Sequence, residues 1–197
     1  MSLPLRLSVL RDVYEPSDDS FLLMRHVPRF SRGRVLDVGT GCGIQAIAAA
    51  EKAERILATD INPHALECAR ENAKANGVLE KIEFRKSDLF ERIGADERFD
   101  LIVFNPPYLP TTEEETTSGP LDAAWNGGRD GRRVIDRFLR SFARHLAEGG
   151  ELLLLHCDLA DTDKTVRVLR GRGFEVEVLE EQKVPGERLS VLLARRE

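Results

Sequence analysis

No stretch of this sequence approaches the roughly 18 consecutive apolar residues that a membrane-spanning helix needs, although 42% of its 197 residues are hydrophobic. The first eleven residues are broken by Pro4, Arg6 and Arg11. They hold no apolar core followed by a small-residue cleavage site, so no secretory leader is read and a cytoplasmic location is expected. Cysteine is scarce. Cys42, Cys68 and Cys157 are odd in number and widely spaced, which implies neither a disulfide framework nor a zinc cluster; each reads as a buried thiol. His26, His64, His145 and His156 show no metal-ligand spacing, so no metal site is expected. An excess of positive charge is also missing: the net charge is −5. A domain that holds long nucleic acid by itself is usually basic, so the charge leans against DNA or large RNA as the direct substrate. Neither an internal repeat nor a low-complexity tract is present, and the length fits one domain, 1–197.

What is present alternates. Short apolar or β-prone cores at 34–38, 55–59, 81–86, 99–104 and 151–156 are separated by helix-like segments at 44–52, 63–75 and 132–146. That alternation predicts an α/β fold with a parallel sheet covered on both faces. The runs Leu101-Ile102-Val103-Phe104 and Leu152-Leu153-Leu154-Leu155 suit strands buried on both sides. Asn62-Pro63 marks a helix start and Asn76-Gly77 its end. A further helix is expected at 161–170, followed by a hairpin-like pair, 174–179 and 189–194, across Pro185-Gly186. The stretch 109–129 is rich in Thr, Glu and Gly and reads as a long functional or mobile loop.

The first site motif is Val35-Leu36-Asp37-Val38-Gly39-Thr40-Gly41-Cys42-Gly43, a strand, a glycine-rich turn and a helix start. Glycines permit positive φ and close approach of a ligand to the backbone. In open parallel sheets ligands sit at the carboxyl ends of the strands, where the chain order reverses. The motif differs from a dinucleotide fingerprint by the acid Asp37, which would repel a pyrophosphate. It suits a ligand with an ammonium group, such as the methionine end of S-adenosylmethionine. Asp60, ending the second strand, is placed to accept from a ribose diol. Asp88, in Ser87-Asp88-Leu89 after the third strand, is either an acceptor for an adenine amino group or the N-cap of a turn.

The reaction site is read at Asn105-Pro106-Pro107-Tyr108, directly after the apolar strand at 99–104. Pro-Pro stiffens the turn and removes two backbone donors. The Asn105 oxygen and the Pro106 carbonyl remain as acceptors, with Tyr108 as a flat wall. Two acceptors hold the two hydrogens of a conjugated NH2 group and aim its lone pair at a methyl donor.

These motifs resemble those of class I S-adenosylmethionine-dependent methyltransferases, specifically the HemK-like protein-glutamine N5-methyltransferases. Asn-Pro-Pro-Tyr alone is shared with adenine- and cytosine-amino methyltransferases. Two segments narrow the match to the eukaryotic and archaeal release-factor branch: Val13-Tyr14-Glu15-Pro16-Ser17-Asp18-Asp19-Ser20-Phe21-Leu22-Leu23, and Ala124-Trp125-Asn126-Gly127-Gly128-Arg129-Asp130-Gly131-Arg132. The resemblance implies a Rossmann-like, seven-stranded, mostly parallel sheet with an antiparallel last strand and helices on both faces. It implies a cofactor-covering segment at 1–31 ahead of a core at 32–197. It also implies methylation of the glutamine in the Gly-Gly-Gln motif of a class I translation termination factor. The alternatives are an N6-adenine methyltransferase acting on RNA or DNA, and a protein-lysine methyltransferase. By analogy, Tyr14, Glu15, Pro16 and Asp19 close over the cofactor. Asp37 and Gly39, with Thr40, Gly41 and Gly43 of the turn, hold the methionine end; Asp60 and Ile61 take the ribose, and Asp88 and Leu89 the adenine. Asn105, Pro106, Pro107 and Tyr108 form the substrate site, with Asn105 also beside the cofactor. The branch often works with a small zinc-binding activator that adds a strand to the sheet edge, here 82–86.

Arg129, Arg133, Arg137, Arg140 and Arg144 recur at spacings of 4, 4, 3 and 4. On a helix running to its start they form one stripe opposite Val134, Ile135, Phe138, Leu139, Phe142 and Leu146. A solvated face is the first reading; steering of an acidic partner or RNA is the sharper one.

Overall fold

In the computed structural model of the chain, residues 5–112 and 119–196 are described. Two short helices, α1 (Asp18–Met24) and α2 (Val27–Phe30), precede an alternating run: β1 (Arg34–Val38), α3 (Ile44–Ala49), β2 (Arg55–Asp60), α4 (Pro63–Ala75), β3 (Ile82–Lys86), β4 (Phe99–Phe104), α5 (Arg133–Ser141), β5 (Leu146–Cys157), α6 (Thr162–Arg170), β6 (Phe174–Val184) and β7 (Glu187–Arg196). The strands form one seven-stranded sheet in the order β3-β2-β1-β4-β5-β7-β6. The pairs from β3 through β5 are parallel, while β7 runs antiparallel to both of its neighbours. Chain order reverses between β1 and β4, the place where such sheets take ligands.

Hydrophobic burial explains the centre. Leu101, Ile102 and Val103 of β4 and Leu152 to Leu155 of β5 are fully buried, because helices cover both faces of these strands. Two caps set helix starts: the Asn62 side chain accepts from the His64 amide at 3.0 Å, and Asp161 from the Lys164 amide at 2.9 Å. Cys42, Cys68 and Cys157 are free and buried. Among the described residues no helix is long and apolar enough to cross a membrane, and no cluster of potential metal ligands occurs.

Several expectations change in detail. The expected helix 132–146 ends at Ser141, passes through a 3-10 turn (Phe142–His145), and yields to β5 already at Leu146. Leu146 pairs with Phe99 beside an irregularity in the ladder, so the polar run at 147–151 belongs to a strand. The final pair is a full hairpin of 11 and 10 residues joined at Pro185-Gly186. The stretch 109–129 is not wholly irregular: a 3-10 turn occupies Pro120–Ala124, and Leu109 bridges to Asn126. Its residues 113–118 lie outside those described. Arg129 precedes α5, so the five-arginine stripe is not one helical face.

Gly43, assigned to the ligand by sequence, has a packing role. It caps α3 at φ 87°, and a Cβ there would lie 2.9 Å from that of Ala69 on α4. Left-handed backbone costs other residues about 1–2 kcal/mol, and overpacking adds about 1–3 kcal/mol. Gly43→Ala should therefore lower the melting temperature by several degrees in a thermal denaturation scan. An unchanged midpoint would show that the α3–α4 contact yields freely.

Candidate active site

Strand register brings the motifs together. Val38 pairs with both Thr59 and Phe104, and Asp60 pairs with Lys86. Gly39, Asp60, Ser87-Asp88 and Asn105 therefore leave the sheet along one edge. They border a cavity of about 330 Å³, within the range of roughly 300–1,000 Å³ typical of small-molecule sites. Of the residues assigned from sequence, the wall contains Tyr14, Pro16, Asp19, Gly39, Thr40, Gly41, Asp60, Ile61, Asp88, Leu89, Asn105, Pro106, Pro107 and Tyr108. Glu15 is exposed and off the wall, because the extended segment turns it to solvent. Asp37 and Gly43 also lie off the wall, beneath the glycine turn and against α4 respectively.

Asp37 is 1% exposed. Its Oδ2 accepts from the Thr40 hydroxyl at 2.6 Å and the Ala46 amide at 3.1 Å, while its Oδ1 has no partner. Burial pushes its carboxyl up to about 7, against the lowering effect of those two hydrogen bonds. Asp60 accepts from the Gly41 amide at 3.0 Å and the Asn62 amide at 2.9 Å, so the second strand's acid also fixes the glycine turn. Burial raises its pKa too. Each oxygen retains a lone pair for a ligand hydroxyl.

Asp19 meets the reaction site directly. Its Oδ2 accepts from Asn105 Nδ2 at 3.0 Å, and its Oδ1 accepts from the Tyr14 hydroxyl at 3.3 Å and the Ser20 hydroxyl at 3.0 Å. A carboxylate offers only lone pairs, so the Asn105 amide must turn its NH2 toward Asp19. The Asn105 oxygen is then buried without a partner among the described residues. Burial, followed by the charge of Asp19, holds the phenolic protons of Tyr14 and Tyr108 well above the usual tyrosine range.

Four buried side-chain polar atoms have no partner among the described residues: Asp37 Oδ1, Gln45 Oε1, Asn105 Oδ1 and Arg132 Nε. Asn105 and Gln45 line the cavity, and Asp37 lies under its glycine turn. Such orphans are uncommon in native structures. Two acceptors on the cavity wall and a third beneath its glycine turn fit a ligand and substrate rich in N–H donors, as the α-ammonium of S-adenosylmethionine and a planar NH2 group are.

The outer wall, Ala123 to Asn126, is fixed by a small ladder. Leu109 N donates to Trp125 O at 3.1 Å, Gly127 N to Leu109 O at 2.9 Å, and Thr111 N to Gly128 O at 2.9 Å. The buried Asn126 side chain ties these turns together, accepting from Gly128 N at 2.9 Å and donating to Asp122 at 2.9 Å. Gly131 (φ 71°) lies so close to the Tyr108 carbonyl that any Cβ would overlap it. Arg132, 3% exposed, donates to the Ala160 carbonyl, to the Asp161 carbonyl at 3.0 Å and to Asp136 at 2.7 Å. It thereby holds this loop to the β5–α6 connection.

Sequence reasoning missed Gln45 and the individual partners of the arginines. Gln45 lies in the first turn of α3, where no local pattern marks it. The spacing of Arg133 and Arg137 was visible, but Arg133 binds Asn126 at 3.1 Å and Arg137 binds Asp88 at 2.8 Å.

The methyltransferase small domain family matches residues 16–119. A putative protein N5-glutamine methyltransferase of Methanocaldococcus jannaschii is 42% identical over 193 residues, covering 98% of this chain and 96% of that protein. Human methyltransferase HEMK2 is 34% identical over 191 residues, covering 92% of this chain and 88% of that protein. The solved E. cuniculi Mtq2–Trm112 complex, described as responsible for methylation of the eRF1 translation termination factor, superposes with a TM-score of 0.76 at 29% identity, covering 94% of this chain and 99% of that one.

Proposed function

The chain belongs to the methyltransferase small domain family and, within it, to the protein N5-glutamine methyltransferases, and from that premise we propose that it methylates N5 of the glutamine in the Gly-Gly-Gln motif of a class I translation termination factor. S-adenosylmethionine, the methyl donor of this family, supplies when bound a methyl group made electrophilic by a sulfonium. The glycine turn, with Asp37 beneath it, would hold its methionine end, Asp60 its ribose, and Asp88 its adenine.

The observation that carries the reading is the half-satisfied amide of Asn105. Asp19 occupies its NH2 group, and its oxygen is buried and unpartnered. That oxygen accepts one hydrogen of the substrate amide, and the Pro106 carbonyl accepts the other. Held so, the nitrogen would be oriented for methyl transfer, and the two acceptors would stabilise the positive charge that develops on it. No strong base is needed, because the attacking nitrogen becomes acidic once methylated and would release its proton to water. Glutamine methylation also agrees with what the Methanocaldococcus jannaschii relative is named for and with the substrate stated for the Mtq2–Trm112 complex.

That complex also supports a small activating subunit for this chain. The receiving edge in this proposal is β3, whose outer side is unpaired among the described residues. Its Arg85 pairs with Glu97 at 2.6 Å and Glu83 at 2.7 Å, which keeps its charge occupied without using the strand's backbone. A zinc-binding partner of the expected kind should co-elute with this chain in gel filtration. Separate elution at micromolar concentration would count against the subunit.

Labelled S-adenosylmethionine, with a termination factor, its Gln→Asn variant at Gly-Gly-Gln, and adenine-containing RNA and DNA, tests the substrate. Label should appear on the intact factor alone; label on nucleic acid instead would overturn the glutamine reading. In the same assay Asn105→Ala should lose activity by on the order of 10²-fold or more while cofactor binding persists. Asp19→Ala should lower kcat by at least about tenfold, as one lost orienting hydrogen bond implies. Full activity of Asn105→Ala would remove Asn105 from the chemistry, and full activity of Asp19→Ala would show that the Asn105 amide does not depend on Asp19 for its orientation.

Asp37 gives a pH dependence. Its ionised form attracts the cofactor's ammonium, so affinity should fall about tenfold per unit as pH drops below about 7. Above about 8 the α-ammonium itself begins to lose its proton, so the profile is bell-shaped. Calorimetric titration between about pH 5.5 and 9, a range that spans both ionisations, checks it. The acid limb should vanish in Asp37→Asn; an acid limb that survives belongs to another group.

A further inference from the structure

Arg137 and Asp88 form the join between α5 and the turn after β3. Arg137 Nη2 lies 2.8 Å from Asp88 Oδ2 and 3.9 Å from Glu91 Oε1. Both side chains are partly exposed, and a surface ion pair of this kind ordinarily adds little stability. Three features set this one apart. Both residues line the cofactor cavity. The turn that carries Asp88 is unusually fixed: the Ser87 hydroxyl donates to Leu89 O at 2.9 Å and accepts from Arg92 N at 3.0 Å, and Leu89 holds φ 48°. A non-glycine residue in that region is strained, and strain of this kind collects at ligand sites. Finally, the helix carrying Arg137 is anchored to the same turn. The neighbouring Phe138 is fully buried, with its ring centroid 5.4 Å from Phe90 and 4.5 Å from Phe104. Arg137 is thus delivered to Asp88 by a rigid aromatic contact.

We propose that Arg137 is a positioning residue for base recognition, pinning Asp88 Oδ2 so that Oδ1 is presented to a 6-amino purine and rejects a 6-oxo purine. The proposal rests on the assignment of Asp88 to the adenine. Oδ1 carries no hydrogen bond among the described residues, whereas Oδ2 is committed to Arg137. A 6-amino group donates to Oδ1. A 6-oxo group at the same place sets two lone-pair oxygens against each other. A carboxylate free to rotate escapes that conflict by turning to water. One clamped by a guanidinium does not, so the clamp converts an affinity into a specificity.

The test is calorimetric binding of S-adenosylhomocysteine and its deaminated counterpart, S-inosylhomocysteine, to the full chain. The wild-type protein should prefer the amino form by about 10²-fold or more, as expected when a site's hydrogen-bonding group is left opposed. Arg137→Met should weaken the amino form about fivefold, the scale of one released side chain. It should also shrink the preference at least as much, with Arg137→Lys restoring part of it. Arg140→Met, which removes the same charge elsewhere on α5, should change neither value. Loss of affinity for both ligands in equal proportion on Arg137→Met would reduce the pair to a structural contact and overturn the proposal. An equal effect from Arg140→Met would do the same, by pointing to general charge. If Asp88→Asn leaves the preference intact, the adenine assignment itself fails, an outcome separate from failure of Arg137 alone.

Discussion

The hydrogen bond between Asp19 and Asn105 joins residues 86 positions apart, and the arrangement of the site depends on it. An asparagine amide has two faces that differ only in which atom accepts and which donates, and rotation exchanges them at little cost. Only a neighbour with a fixed hydrogen-bonding character decides between them. Asp19 is such a neighbour, and it is itself immobile because Tyr14 and Ser20 occupy its other oxygen. Leu22 and Leu23, on the same helix, are fully buried. Gln45 ties that helix to α3 by donating to the Ser20 carbonyl at 2.9 Å. In the proposed reading the leading segment is therefore part of the geometry of the reaction site as well as a cover over the cofactor.

Leaving three buried acceptors unpartnered costs about 1–3 kcal/mol each, and the fold tolerates it because the sheet beneath is saturated with apolar contact. Leu101 to Val103, Leu152 to Leu155 and Val191 to Ala194 are at most 1% exposed. Strand register fixes where the acceptors stand relative to one another, since Val38 pairs with Phe104 immediately before Gly39 and Asn105. Rigid strands and a deficit of hydrogen-bond donors together make a site that is complete only when ligand and substrate supply those donors.

The parts legible in the sequence are those encoded by consecutive residues. The glycine turn, Asn105-Pro106-Pro107-Tyr108 and the Asn62 cap each carry their meaning within a few positions, and each sits at the end of a strand whose apolar run announces it. The antiparallel β7 was legible through the family resemblance and the Pro185-Gly186 turn. Interactions between distant segments were not legible. Nothing beside Asp19 indicates that it meets Asn105, and the resemblance alone assigned it to the cofactor. Gly43 looked like one more ligand glycine until Ala69, from another helix, was seen against it. The arginines were read as one face because their spacing is helical. The helix begins only at Arg133, and two of its arginines reach separate partners. The start of β5 was hidden because residues 147–151 are polar and follow a helical pattern without a break.

The same geometry argues against lysine as the methylated residue. A lysine ammonium must lose a proton before it attacks, which calls for a nearby base with a free lone pair and a suitable pKa. Among the described residues of the reaction site, Asp19 is committed to orienting Asn105, accepting from it on Oδ2 and from Tyr14 and Ser20 on Oδ1. Tyr14 and Tyr108 hold their protons tightly. His156, the buried histidine at the end of β5, is pushed down to about 4 by burial and is enclosed by Thr162 and Thr165. The two atoms that would meet the substrate nitrogen, the Asn105 oxygen and the Pro106 carbonyl, are neutral acceptors, which suit a planar NH2 group and do little for an ammonium. Glutamine and adenine both offer such a group, so Asn105 alone does not separate them. The relatives separate them, the Methanocaldococcus jannaschii protein being named for N5-glutamine methylation and the Mtq2–Trm112 complex for methylation of a termination factor.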